Sequence, residues 1–204
     1  MKLTAVQEDA LIELLNIGFG RAAASLSQLT GHRVLLEVPQ VTIHPVEEVS
    51  EALERVVRTD VASVHQIFNG SVAGDALLIL DQSGAAMLKE LLTNEPALPL
   101  SIDLSAREVL TEVGNILLNA CLGTFGNLLK VQVSFSVPQL SLESLGAILE
   151  SLRVSREGMS YALVVHAGFK LRDAEVRGYL VIVLSVASLD RLLRAVEEWE
   201  KRGQ

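Results

Sequence analysis

Asp9-Ala10-Leu11-Ile12-Glu13-Leu14-Leu15-Asn16 and, later, Glu108-Val109-Leu110-Thr111-Glu112-Val113-Gly114-Asn115 decide how this chain is organised. Each stretch sets a carboxylate, a Glu four residues on and an Asn three beyond that. Each is followed, after 22 intervening residues, by a proline: Pro39 and Pro138. All four positions recur at an offset of 99, as do Ile17 with Ile116, Val38 with Val137 and Gln40 with Gln139. More loosely, 72–80 resembles 176–184 at an offset of 104. Self-similarity at a fixed period marks a duplicated structural unit. We therefore expect residues 1–204 to form one domain built from two repeats, about 1–95 and 100–204.

Working outward, each repeat follows one plan. Thr4 and Gln7 have capping-box spacing, opening a helix that runs to Thr30 with Gly31 as its stop. Ser105 and Glu108 predict the equivalent start for a helix reaching about Leu129. Strands are expected at 32–38 and 130–137, each ended by its proline, which has no N–H to give to a ladder. Helices are expected at 46–56 and 142–153, and hairpins at 60–68 with 71–80 and at 161–171 with 175–185. Closing helices follow at 83–92 and 188–201, and 93–99 reads as a linker. Helices alternating with hairpins point to an α+β fold with a mostly antiparallel sheet shared by both halves about a pseudo-two-fold axis.

Composition removes several function classes. Half of the 204 residues are hydrophobic and 21% are charged, the balance of an ordinary globular chain. The formal net charge of −8 comes with no basic block, so nothing gathers a phosphate backbone and nucleic-acid binding is not expected. One cysteine, Cys121, excludes an internal disulfide and fits a reducing cytosol. No N-terminal signal pattern is present, and the longest uninterrupted apolar run, 179–184, is far too short for a bilayer. A cytoplasmic monomer without membrane contact is the expectation. The four histidines show no ligand spacing, so no metal of the chain's own is expected. His65 and His166 fall in equivalent strands, where a structural role is commoner. Gly18-x-Gly20 lies within a helix and lacks the strand that a nucleotide fingerprint needs.

On a helical wheel Leu11, Leu14, Leu15, Gly18, Ala22 and Leu29 gather on one side of the first helix. Asp9, Glu13 and Asn16 fall opposite, within roughly 60° of one another. The second helix repeats this, with Leu110, Val113, Leu117, Cys121 and Leu128 inward and Glu108, Glu112 and Asn115 outward. Val6, Ile17, Val109 and Ile116 are placed beside the polar stripes as an apolar rim. Gly20 and Asn119 sit one turn further on, small enough for a partner to approach. One Glu-x2-Asn on a helix surface is common and means little. Its doubling with the same outward placement and matched prolines marks Glu13, Asn16, Glu112 and Asn115 as candidate site residues.

This doubled signature resembles the CheC/CheX/FliY family of chemotaxis phosphatases. The stretches Asn16-Ile17-Gly18 and Glu112-Val113-Gly114-Asn115 are similar to that family's Glu-Ile-Gly-Asn-Ile, and two motifs with no extra domain look most like CheC. Glu108 departs from the pattern, which has Asp or Ser there; Asp9 matches. The resemblance implies hydrolysis of the aspartyl-phosphate on a CheY-type receiver, which brings its own Mg²⁺. It implies Asn16 and Asn115 as water-orienting groups and Glu13 and Glu112 as docking anchors. It also implies a possible partner, the receptor deamidase CheD, at the amphipathic stretch 142–149, where packing against the core is the competing account. The alternative function is a non-catalytic adaptor that captures the phosphorylated receiver, or a flagellar-switch-associated protein.

Overall fold

Thr4 opens the first helix as the spacing requires. Its hydroxyl accepts from the Gln7 N–H (3.2 Å) while the Gln7 carboxamide oxygen accepts from the Thr4 N–H (3.0 Å). Gly31 closes it at φ 68°, the left-handed conformation a glycine adopts at least cost. The computed structural model describes residues 2–54, 61–93, 104–155, 158–171 and 174–203. In chain order the elements are α1 (Ala5–Thr30), β1 (Val34–Pro45), α2 (Val46–Glu54), β2 (Val61–Gly70), β3 (Gly74–Asp81) and α3 (Gln82–Thr93). There follow α4 (Leu104–Leu129), β4 (Val133–Phe135), β5 (Gln139–Glu143), α5 (Leu145–Ser155), β6 (Met159–Leu171), β7 (Ala174–Ser185) and α6 (Val186–Gly203). The end of the expected 46–56 helix, Asp60 and most of the expected linker lie outside the described residues.

All strands join one antiparallel sheet in the order β1-β6-β7-β3-β2-β4, with β5 also on β2. The order shows how the halves interlock. Hairpin β2–β3 meets hairpin β6–β7 along the β3–β7 pair at the centre. Strand β1 of the first half pairs with β6 of the second, while β4 and β5 of the second pair with β2 of the first. Each half completes the other's sheet, so neither can be removed without stripping a strand from its neighbour.

Strand alternation divides the core between two faces. On one face α1, α3, α4 and α6 pack through Leu11, Leu15, Leu88, Leu117, Leu122 and Leu192 against Val64, Leu78, Val165 and Leu180. On the other, α2 and α5 bring Val46, Val49, Leu53, Leu145, Ile148 and Leu149 onto Leu77, Ile79, Val181 and Val183.

The structure corrects the sequence expectations at several points. Strand β1 does not stop at Pro39. Its register shifts between Glu37, opposite Gly168, and Gln40, opposite His166, so 38 and 39 together face Ala167 alone. That is a β-bulge, which accommodates a residue with no N–H inside a strand. The second half repeats it. Ser136, Val137 and Pro138 span the gap between Phe135, opposite Phe68, and Gln139, opposite His65. Three residues thus face two, and the extra one separates β4, inside the expected strand, from β5, which lies beyond it. Each motif proline marks a bulge rather than a strand end. Leu142, expected to open a helix, lies in β5, and α5 begins at Leu145.

The loose 72–80 match with 176–184 is two residues out. Gln40 faces His166 and Gln139 faces His65, which makes His65 and His166 equivalent. Their hairpin partners, Leu77 and Tyr179, are therefore equivalent too, at an offset of 102 (77 to 179) rather than 104. A slip of two keeps every residue on its own face, which is why the wrong register looked right. Ser105 lies inside α4, not before it, so it cannot cap that helix. Leu29 is 61% exposed despite its inward wheel position. Gln28 and Gly31 are exposed with it, so the last turn of α1 runs past the elements that would cover it.

Candidate functional site

Both motif helices lie on the same face of the sheet and pack along each other. A Cβ on Gly18 would come within 2.9 Å of the Cys121 Cα, so the backbones touch where they cross. Arg21 Nη1 donates to the Thr124 hydroxyl across the same seam (3.3 Å). Burial pushes the Cys121 thiol well above its ordinary pKa, which removes it as a nucleophile.

The polar stripes emerge as expected except at Asn115. Asp9, Glu13 and Asn16 are exposed on α1, and Glu108 and Glu112 are exposed on α4. The side chains of Glu13, Asn16 and Glu112 make no hydrogen bond to another described residue, so each is available to a partner. The apolar rim is less complete than expected. Val6 is 52% exposed, whereas Val109 and Ile116 are half-buried against the core.

Asn115 differs from Asn16 in its surroundings. It is half-buried, and its Oδ1 accepts from Nδ2 of Asn119 one turn along (2.6 Å). Asn119 Oδ1 accepts in turn from Nε2 of Gln66 (3.2 Å), a residue only 1% exposed on β2 beneath α4. Gln66 Nε2 also donates to the Ser136 backbone carbonyl (2.9 Å), in the bulge before Pro138. Ser136 is fixed in place: its N–H donates to the Ile67 carbonyl (2.9 Å) and its hydroxyl accepts from the Ile67 N–H (3.0 Å). The Oε1 of Gln66 is buried with no partner among the described residues, which costs about 1–3 kcal/mol. A buried polar residue left half-satisfied is a poor stability device.

The helical wheel marks Asn119 only as a short side chain, and the motif spacing points to neither Gln66 nor Ser136. Two signals were available. Asn119 is i+4 from Asn115, and Gln66 interrupts the inward apolar series Ala62, Val64, Phe68 of β2.

The seat of α4 explains how the relay can form. Gly114 lies so close over β2 that a Cβ there would fall 2.5 Å from Val64 Cβ. The equivalent position in α1 is Leu15, fully buried.

The remaining candidates are structural. His65 Nε2 lies 2.7 Å from Asp75 Oδ1. His166 stands edge-on to Tyr179 with ring centroids 5.0 Å apart, and burial followed by the nearby His44 lowers its pKa. No group of three His, Cys, Asp or Glu able to hold a metal occurs among the described residues. The apolar face of α5 is spent on the core through Leu145, Ile148 and Leu149. Residues Leu104–Asn127 of α4 are long and apolar enough to cross a membrane, but half of the apolar part is buried within the fold, which accounts for its composition.

No family model matches the chain. A curated relative, the CheY-P phosphatase CheC of Bacillus subtilis (strain 168), is 26% identical over 197 residues, covering 93% of both chains. The flagellar motor switch phosphatase FliY of the same organism is 26% identical over 146 residues, 69% of this chain and 36% of that one. Among solved structures, Thermotoga maritima FliY superposes with a TM-score of 0.78 at 19% identity, covering all of both chains. A FliM middle domain from H. pylori shares the fold at a TM-score of 0.62 and 13% identity, over 95% of this chain and 99% of that one. This chain is therefore similar in sequence to CheC over most of its length and to FliY over part of it, and it shares the fold of a solved FliY.

Proposed function

We propose that this protein accelerates hydrolysis of the aspartyl-phosphate on a CheY-type receiver domain, with Glu13/Asn16 and Glu112/Asn115 as two separate working couples. The observation that carries the proposal is the pair of Glu/Asn stripes on neighbouring helices, with Glu13, Asn16 and Glu112 exposed and Asn115 half-buried. Phosphoryl transfer asks little covalent work of a protein; it needs an oriented nucleophile and stabilised charge. The receiver brings the phosphoryl group and its Mg²⁺. A carboxamide has both donor and acceptor atoms and can hold a water in line with phosphorus. A carboxylate three residues before it can take a charge-assisted hydrogen bond from a receiver lysine and so set the docking register. The names of the CheC and FliY relatives support this chemistry at the level of the family.

A CheD-type modulator would meet the outer face of α5, where Gly146, Ala147 and Ser151 are exposed. A competing account, capture of the phosphorylated receiver without hydrolysis, is favoured by the likeness to a FliM middle domain, because a shared fold does not carry a shared chemistry.

One experiment separates them. Decay of a phosphorylated receiver is followed with the wild-type protein and with Asn16→Ala plus Asn115→Ala. Loss of one oriented polar group costs about 2–4 kcal/mol of transition-state stabilisation at its own site. The double variant should return the decay to the receiver's own rate. Unchanged turnover in that variant refutes the mechanism. Phosphorylation-dependent binding with no acceleration by the wild type selects the adaptor.

A further inference from the structure

We infer that Asn119, held by Gln66, is a positioning residue that fixes the Asn115 carboxamide, so that the two working couples differ in preorganisation. The inference rests on the proposed role of Asn115 in orienting water.

The direction of the relay follows from its far end. The Ser136 backbone carbonyl can only accept, so the Gln66 amide must turn its NH₂ towards it. The same nitrogen then faces Asn119, whose oxygen must turn inward to meet it. That leaves the Asn119 NH₂ facing Asn115, and Asn115 must present its oxygen as acceptor. A flip of any one amide would set donor against donor or acceptor against acceptor. One backbone carbonyl thus dictates which way the Asn115 carboxamide points. Its Oδ1 keeps one lone pair for a water, and its Nδ2 hydrogens stay free of the relay. Restricting a reactive group to one orientation before the substrate arrives removes entropy from the barrier.

The first half lacks both links. Gly20 stands where Asn119 stands, with nothing within 4 Å of a Cβ built there. Ala167, opposite the first bulge, stands where Gln66 stands. Asn16 is exposed, and its side chain makes no hydrogen bond to another described residue. The motif proline gains a role from this geometry. The bulge at Val137–Pro138 sets the Ser136 carbonyl beside Gln66, which links the proline to the Asn 23 residues earlier in the chain.

The test uses the full chain carrying Asn16→Ala, which isolates the second couple. Adding Asn119→Ala, a substitution on a half-buried helix position where alanine is well tolerated, should lower kcat about tenfold while KM for the phosphorylated receiver stays nearly unchanged. Adding Asn119→Asp, near-isosteric but unable to donate, should do the same. In the otherwise wild-type protein, the side-chain amide resonances of Asn115 should be distinct from those of Asn16 and should collapse towards them in Asn119→Ala. An unchanged kcat in both Asn119 variants overturns the inference, as does an Asn115 amide signal indifferent to Asn119. Failure of the phosphatase proposal has a different signature: no acceleration by the wild type, with the amide resonances still distinct.

Discussion

Helices α1 and α4 carry the same stripe at matching positions, yet they sit on the sheet in different ways. Leu15 fills the space under α1, and the equivalent Gly114 puts bare backbone against Val64 under α4. Gly20 leaves Asn16 free; Asn119 ties Asn115 through Gln66 to a bulge on a third strand. The contrast teaches that a repeated motif fixes which groups reach the surface, while the layer beneath it fixes how firmly they are held. The surface groups match between the two helices, and the residues beneath them differ.

The seat of each helix can be tested by substitution, and the largest effect is expected under α1. Leu15→Ala removes a fully buried side chain and should lower unfolding stability by about 2–5 kcal/mol, read by denaturant titration. A loss well under that range would mean α1 settles onto the sheet as α4 does, and the contrast would dissolve.

Under α4 the opposite substitution hurts. Gly114→Ala must displace β-branched Val64 in a filled core, at a cost of about 1–3 kcal/mol. It should also shift Asn115 relative to Gln66, so activity measured in an Asn16→Ala background should fall while the same substitution spares the first couple. Full activity of both couples would show that the close seat is incidental.

The smallest effect concerns how the two helices begin. Thr4→Ala breaks a complete capping box and should cost about 1 kcal/mol. Ser105→Ala, inside α4, should be nearly neutral or slightly stabilising because alanine is the better helix former. Equal losses from the two would mean Ser105 caps after all.

Much of this was legible in the chain. The offset of 99, the helix ends at Thr4 and Gly31 and the outward placement of Glu13, Asn16 and Glu112 follow from spacing and periodicity, which are local properties. The errors fell where partners on distant segments decide. Pro39 looked like a strand end because the sequence does not show that Ala167 can face two residues at once. Leu29 has the right angle on its helix, but only the fold shows that nothing covers it.

The sequence by itself determined the matched spacing of the two motifs, most of the elements around them and which side of each motif helix is polar. These depend on residues a few positions apart, whose geometry is set by helix and strand periods. Tertiary structure alone decided that the halves exchange strands, that each proline sits in a bulge and that Asn115 is braced where Asn16 is not. Those features require contacts between residues as distant as Gln66 and Ser136, brought together by sheet register, which no local pattern encodes.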